Sequence, residues 1–389
     1  MDKMSVDRVF LIVLDSVGIG AAPDAADFGD GGAHTLRSAY NTGKLRIPNL
    51  VDLGLANIDG LEFLGKREEH RASVARMTEL SGGKDTTIGH WEIAGHVSRT
   101  PLPTFPDGFS TEIVDKLEKA FGRGIICNKP YSGTAVIRDY GEEHIKSGKL
   151  IVYTSADSVL QIAAHTDVVD IETLYEYCRM AREIMSGERY GVGRIIARPF
   201  EGEVGSFVRT AQRRDFSIKS PRGLLPEAVV ANGLESVAVG KICDIFAGCG
   251  FTRSIYSHSN EEGMAVCSKL ADTDFRGLCF VNLVDFDMHW GHRRDAVKYA
   301  EGLNAFDRWL GGFIDKLSPK DMLIITADHG CDPGFTATTD HTREYTPFIM
   351  YCHGMTAQNY GTRSGFCDIA ATVSAALGID FTCDGRSMI

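Results

Sequence analysis

VFLIVLD at residues 9–15, CFVNLVDFD at 279–287 and MLIITADH at 322–329 are three apolar runs far apart in the chain, and each ends in an aspartate. Short β-branched runs of this kind predict buried strands. In an open α/β sheet ligands collect at the carboxyl ends of the strands, so the three endings, Asp15, Asp287 and Asp328, are expected to converge on one crevice. Converging carboxylates require a cation.

The residues between Asp287 and His341 sharpen that reading. DFDMHWGH, TADHG and TTDH supply His292, His329 and His341 beside the two later aspartates. Mixed carboxylate and imidazole ligands suit manganese, iron or zinc, whereas carboxylates alone lean toward magnesium or calcium. The set exceeds what one ion needs. Two ions roughly 3.5–4 Å apart are the usual apparatus for in-line phosphoryl displacement.

Further strand signals lie near residues 149–154, 192–197, 236–240 and 347–352, with helical patterns between several of them. The clearest helix is 296–317, where Tyr299, Leu303, Phe306, Leu310, Phe313 and Leu317 form a core-facing stripe. Two proline-rich stretches, RTPLPTFP at 99–106 and SPRGLLP at 220–226, are stiff connections that read as domain crossings. The expected organisation is a discontinuous α/β core, residues 1–99 and 223–389, with residues 100–222 inserted as a smaller α/β cap. The alternative is a pair of surface loops on one large domain.

Composition narrows the function classes. The chain has 389 residues, 43% apolar and 24% charged, which is ordinary for a water-soluble enzyme of two domains. No apolar run reaches the length of a membrane span, and MDKMSVDR at the N-terminus lacks a signal-peptide pattern, so a cytoplasmic protein is expected. The ten cysteines are scattered without a C-x-x-C pair, which argues against a disulfide framework or structural zinc. A net charge of −11 argues against non-specific nucleic-acid binding, which needs a basic footprint. Neither a membrane nor an obligate protein partner is expected, and an anionic substrate must be met by local cations. Arg194, Arg198, Arg209, Arg213, Arg214, Lys219 and Arg222 cluster along the sequence as candidates; the alternative for such a run is a solvated basic face.

GGKDTTIGHWE at 82–92 places hydroxyls after turn-forming glycines and before a helix start. There, backbone N–H groups and the helix dipole favour a phosphate ester; plain N-capping by Asp85 or Thr86 is the simpler alternative.

LDSVGIGAAPDA at 14–25, KDTTIGHWEIAG at 84–95, NLVDFDMHWGHRRD at 282–295 and TADHGCDPGFTATTDHTREYTP at 326–347 together resemble the phosphopentomutase family of the alkaline phosphatase superfamily. The resemblance implies an alkaline-phosphatase-like α/β core, a central mostly parallel sheet flanked by helices. It implies two manganese ions, with other divalent cations as alternatives. One would be held by Asp287, His292 and His341, the other by Asp15, Asp328 and His329 with the Thr86 hydroxyl. Thr86 would be the phosphorylated residue, by its distance from the Gly-His pair in the related cofactor-independent phosphoglycerate mutases. Ile88 stands where the family pattern has a second threonine, which leaves Thr87 as the alternative acceptor. His289, Trp290 and Cys331 are further departures, and His289 reads as a surface or supporting histidine, with an additional metal ligand as the alternative. Asp157, Arg194, Arg209 and Lys241 would contact sugar or phosphate. The substrates implied are pentose phosphates, moved between C1 and C5 through a 1,5-bisphosphate. Glucose 1,6-bisphosphate or ribose 1,5-bisphosphate would prime the enzyme, and a closing cap would exclude water. The same ligands would also serve a metal-dependent phosphatase or sulfatase.

Overall fold

The computed structural model describes residues 6–155 and 158–389. The chain forms two compact units, Met1–Arg99 with Ser220–Ile389, and Thr100–Lys219. In chain order the strands are β1 (Arg8–Leu14), β2 (Ser73–Met77), β3 (Ile125–Pro130), β4 (Leu150–Thr154), β5 (Val159–His165), β6 (Arg194–Glu201), β7 (Val208–Arg209), β8 (Arg214–Ser217), β9 (Glu235–Val239), β10 (Arg253–Ile255), β11 (Gly277–Leu283), β12 (Asp321–Thr326), β13 (Thr346–Cys352) and β14 (Asn359–Arg363).

In the first unit the order is β10-β9-β11-β1-β12-β13-β2-β14. Only β13 runs against the others, so the sheet is mostly parallel. Every residue of β1, β11 and β12 is buried, as both faces of a parallel sheet require. Phe10, Ile12 and Leu14 join the Tyr299, Leu303, Phe306, Leu310 and Phe313 stripe in one core. The helix carrying that stripe spans Ala296–Ile314, three residues shorter than its apolar pattern, because Leu317 packs from the turn beyond it. On the opposite side β1 is covered by the helix Cys367–Leu377.

Register decides where the site lies. Leu14 pairs with Leu283, and Val13 with Thr326, so β11, β1 and β12 end side by side and release Asp15, Asp287 and Asp328 at one edge. Some strands carry little sequence signal. β10 is short, β14 is a polar edge strand, and β2 breaks its apolar run with Ser73 and Arg76.

The second unit has a sheet in the order β3-β4-β5-β6-β7, with β8 also paired to β6. Alternation along β4 sends Leu150 and Val152 to one apolar cluster and Ile151 and Tyr153 to another, so both faces are packed. Among the described residues no helix is long and apolar enough to cross a membrane.

At the opposite edge of the first sheet Arg8 makes a two-pronged bond to Asp321, 2.7 Å on each arm, and donates to the carbonyls of Leu270, Ala271 and Thr273. Both partners are buried, so removing one strands the other's charge. Asp321→Ala is expected to cost roughly 3–5 kcal/mol of unfolding free energy in urea titrations, and the apolar pair Arg8→Met with Asp321→Leu should recover most of it.

Candidate metal centre

Each strand end turns in a way that aims its carboxylate inward. After β1, Asp15 is 1% exposed, and Ser16 takes a left-handed backbone, φ 73°. That strained turn is held by the Ser16 N–H donating to Asp328 Oδ1 at 3.1 Å and by the Tyr299 hydroxyl donating to the Ser16 carbonyl at 2.9 Å. After β11 the chain enters a π-helical turn, Phe286–Gly291, in which the His292 N–H donates to the Asp287 carbonyl five residues back. The wide turn sets the Asp287 and His292 side chains on one face. Gly330 and Thr342 exchange backbone bonds of 3.1 and 2.8 Å, which fixes the His341 loop against His329, ring centroids 4.0 Å apart.

Hydrogen bonds at the far ring nitrogens set the donor atoms. His292 Nδ1 donates to the Thr339 carbonyl at 2.6 Å and His329 Nδ1 to the Gly330 carbonyl at 3.0 Å, leaving each Nε2 for a ligand. Nε2 of His292 lies 3.4 Å from Asp287 Oδ2, Nε2 of His341 lies 3.4 Å from Asp287 Oδ1, and the two nitrogens are 3.1 Å apart. His329 Nε2 lies 3.2 Å from Asp328 Oδ2 and 3.6 Å from Asp15 Oδ1. Among the described residues two groups bring their donor atoms within 4.8 Å of one another: Asp287, His292 and His341; and Asp15, Asp287 and His329. Asp287 is therefore common to both, and Asp328 adjoins the second through His329.

Three buried oxygens, Asp15 Oδ1, Asp287 Oδ1 and Asp328 Oδ2, have no hydrogen-bond partner among the described residues. Buried anionic oxygens without a hydrogen bond are costly, and these three are met by nearby imidazoles of the same space. The residues present thus fit divalent cations bound through oxygen and nitrogen. The electrostatics agree. Burial pushes the Asp15 carboxyl up to about 7, with the Asp328 and Asp287 charges adding to it. Burial alone would raise Asp287 too, but the His341 charge and the hydrogen bond to His292 hold it well below the usual carboxylate range. Burial disfavours a charged His292, yet hydrogen bonding to Asp287 drives the ring up to about 12. His329 is likewise held well above its ordinary value by Asp328, against burial.

Thr86 opens the helix Thr86–Ile93, and Asp85 caps it by accepting from the Thr87 and Ile88 N–H groups at 3.0 and 3.2 Å. The cap is thus Asp85, and the half-buried Thr86 hydroxyl is left at the helix N-terminus, 3.0 Å from His329 Nε2. A Cβ on Gly89 would stand 2.3 Å from the Asp328 carbonyl oxygen, so only glycine lets this helix approach the end of β12.

The remaining sequence candidates are distributed as follows. Lys241 follows the end of β9, and its charge pulls the Asp15 carboxyl down. Arg194 and Arg209 belong to the second unit; Arg194 lies 3.8 Å from Asp215 and Arg209 donates to the Thr134 hydroxyl at 3.1 Å. Asp157 lies outside the described residues. His289 is exposed, 4.0 Å from Asp285, and joins neither donor group. Trp290 packs on Phe286 and Tyr299, and the Cys331 thiol is pushed up to about 11 by burial.

Two participants have no role in the sequence reading. His90 is fully buried between Thr86, Asp328 and Asn282, and Asn282 donates to Asp15 Oδ2 at 3.0 Å. Both left a signal: His90 stands one helical turn after Thr86, and Asn282 is the polar residue inside an apolar strand.

Residues 7–381 match the family model described as the metalloenzyme superfamily. Similar proteins include the phosphopentomutase of Lachnoclostridium phytofermentans, 53% identical over 98% of either chain. Those of Deinococcus radiodurans, 49% over 98% of either chain, and Clostridium novyi, 47% over 99% of this chain and 98% of the other, are also close. Among solved structures, a phosphoglycerate mutase of Leishmania mexicana aligns over 100% of this chain and 98% of its own, with 12% identity and a TM-score of 0.49.

Ligation requires deprotonated carboxylates and neutral imidazoles. With Asp15 at about 7 and His292 at about 12 in the ion-free site, an entering divalent ion must displace protons, so affinity rises with pH. Calorimetry at pH 6.5 in buffers of different ionisation enthalpy should show net proton release; a buffer-independent heat would contradict it. Gly89→Ala should push the helix away from β12 and lower turnover about 100-fold, the usual cost of an ångström-scale misplacement.

Proposed function

Since this chain belongs to the phosphopentomutase family within the metalloenzyme superfamily, and is an isomerase of the phosphomutase type, we propose that it interconverts pentose 1-phosphates and pentose 5-phosphates through a phosphorylated Thr86. The observation that carries this reading is the Thr86 hydroxyl, placed at a helix N-terminus and 3.0 Å from an imidazole of the donor cluster.

In the forward direction the O5 hydroxyl of a ribose or 2-deoxyribose 1-phosphate attacks the phosphorus on Thr86. The P–Oγ1 bond breaks and the proton of O5 passes, in net terms, to the released Thr86 oxygen, giving a 1,5-bisphosphate and the free Thr86 hydroxyl. The sugar reorients, Thr86 Oγ1 attacks the C1 phosphate, and the P–O1 bond breaks to leave the 5-phosphate. Both halves use one covalent acceptor, so a dephosphorylated protein needs priming by glucose 1,6-bisphosphate or ribose 1,5-bisphosphate. Two divalent ions, for which we propose manganese, supply neutralisation of the non-bridging oxygens and of the leaving oxygen. Asp287, His292 and His341 would hold one, and Asp15, Asp328 and His329 the other.

The positive end of the helix dipole favours the phosphate on Thr86, and Asp85, which accepts from the Thr87 and Ile88 N–H groups, keeps that end of the helix in register. Asp157, Arg194, Arg209 and Lys241 are our proposed contacts for the sugar and its distal phosphate; the arginine fork suits a phosphate by two-point bonding. We read residues 100–222 as an inserted substrate domain and place the reaction in the cytoplasm. The ten cysteines, none of them disulfide-bonded, fit a reducing compartment.

Thr86→Ala should reduce turnover to background while divalent-ion affinity changes less than about threefold. A near-normal rate would transfer the acceptor role to Thr87. With wild-type protein, manganese, ribose 1-phosphate and a trace of glucose 1,6-bisphosphate, phosphorus NMR should show the C1 signal replaced by a C5 signal without inorganic phosphate. Accumulating inorganic phosphate would make the protein a phosphatase.

A further inference from the structure

His90 is fully buried, lies face to face with Phe280 at 5.9 Å, and takes no part in either donor group. Its hydrogen bonds assign its tautomer. Nδ1 stands 2.8 Å from the Thr86 carbonyl and 3.2 Å from Asp328 Oδ2, two oxygens without a proton to offer, so Nδ1 carries the hydrogen and donates to Thr86. Nε2 stands 3.2 Å from Asn282 Nδ2 and accepts from it. The second hydrogen of the same amide goes to Asp15 Oδ2 at 3.0 Å. The reverse orientation of the Asn282 amide would face its oxygen toward a carboxylate. The chain of bonds therefore has one direction, from Asn282 to both Asp15 and His90, and from His90 to the backbone of Thr86.

This chain has a geometric consequence. With Oδ2 tied to Asn282, the Asp15 carboxyl is turned so that Oδ1, its unpartnered oxygen, faces His329 Nε2. We infer that His90 is a positioning residue which, through Asn282, orients Asp15 for the ion shared with Asp328 and His329. The inference rests on the proposed metal centre and goes beyond it, because His90 and Asn282 belong to neither donor group. Outer partners of ligating carboxylates typically matter by 10–100-fold in affinity.

The test uses full-length protein and manganese alone, with binding read by calorimetry and by electron paramagnetic resonance of the free ion. Amide isosteres separate the two arms of His90. Gln places its amide near the Nε2 position and keeps a partner for Asn282, whereas Asn reaches only the Nδ1 position. His90→Asn and Asn282→Ala should each weaken one of two ions 10–100-fold and leave the other within threefold. His90→Gln should lie within about threefold of wild type for both. Melting of the ion-free proteins distinguishes a misfolded variant from a misoriented ligand, since a merely structural loss lowers the melting temperature and weakens both ions together. Wild-type affinities in both His90→Asn and Asn282→Ala, or equal loss of both ions, would overturn the inference. Should the wild type bind a single ion, the two-ion reading falls; a 10–100-fold weaker ion in these variants still supports the role of His90, and an unchanged one still defeats it.

Discussion

Asp15, Asp287 and Asp328 are buried carboxylates in one small space, and their mutual repulsion is the constraint to which the rest of the first unit answers. At a separation of 4–5 Å two such charges repel by on the order of 3–4 kcal/mol at an effective dielectric of ~20. Without a cation the cluster relieves this by protonation: Asp15 rises to about 7, and His292 and His329 stay charged against the cost of burial. The unpartnered oxygens mark where positive charge belongs. A folded state that places three acids together in this way is stabilised by whatever divalent ion it binds, which is consistent with membership of a metalloenzyme superfamily.

The supporting structure is built to hold that repulsive arrangement. Parallel pairing of β1 with β11 and β12 aligns the strand ends. Left-handed Ser16 and the π-helical turn at Phe286–Gly291 then redirect the chain so that side chains leave the sheet edge toward one point. Behind them a layer of neutral and paired groups keeps the ligands in place. Glu344, 1% exposed, accepts from the Thr35 N–H and hydroxyl, the Gly20 N–H and the Thr342 hydroxyl. Arg343 binds Asp24, Glu79 and the Gly83 carbonyl, which ties the His341 loop to the segment leading into Thr86. The Thr86 hydroxyl and the donor groups are thereby fixed to one framework, which a phosphoryl transfer that depends on alignment needs.

Much of the fold can be read from the sequence because fully buried parallel strands are continuous β-branched runs, and the strands at the centre of the first sheet are of that kind. In the first sheet the strands without a sequence signal, β2, β10 and β14, are diluted by polar residues or very short, and in the second unit β3, β5, β7 and β8 are not read from the sequence either. The donor residues stood out only as a set: any one aspartate after an apolar run serves as a cap or turn residue, but three of them with three histidines beside them are more than caps and turns account for. His90 and Asn282 were not legible as a pair, since 192 positions separate them and each is ordinary in its own element.

The sequence by itself determined the residue types and the strand ends that carry them, since burial of an apolar run leaves the polar residue after it at the sheet edge. It also placed a hydroxyl at a helix start after turn-forming glycines, leaving Asp85 or Thr86 as the cap, and the structure chose Asp85. Only the tertiary structure decided that Asp287 lies in both donor groups, that Asp328 stands between two imidazoles, and that Asn282 turns Asp15 by bonding one oxygen. These are matters of strand register and side-chain rotamer, set by packing between segments hundreds of residues apart, and no local pattern of residues encodes them.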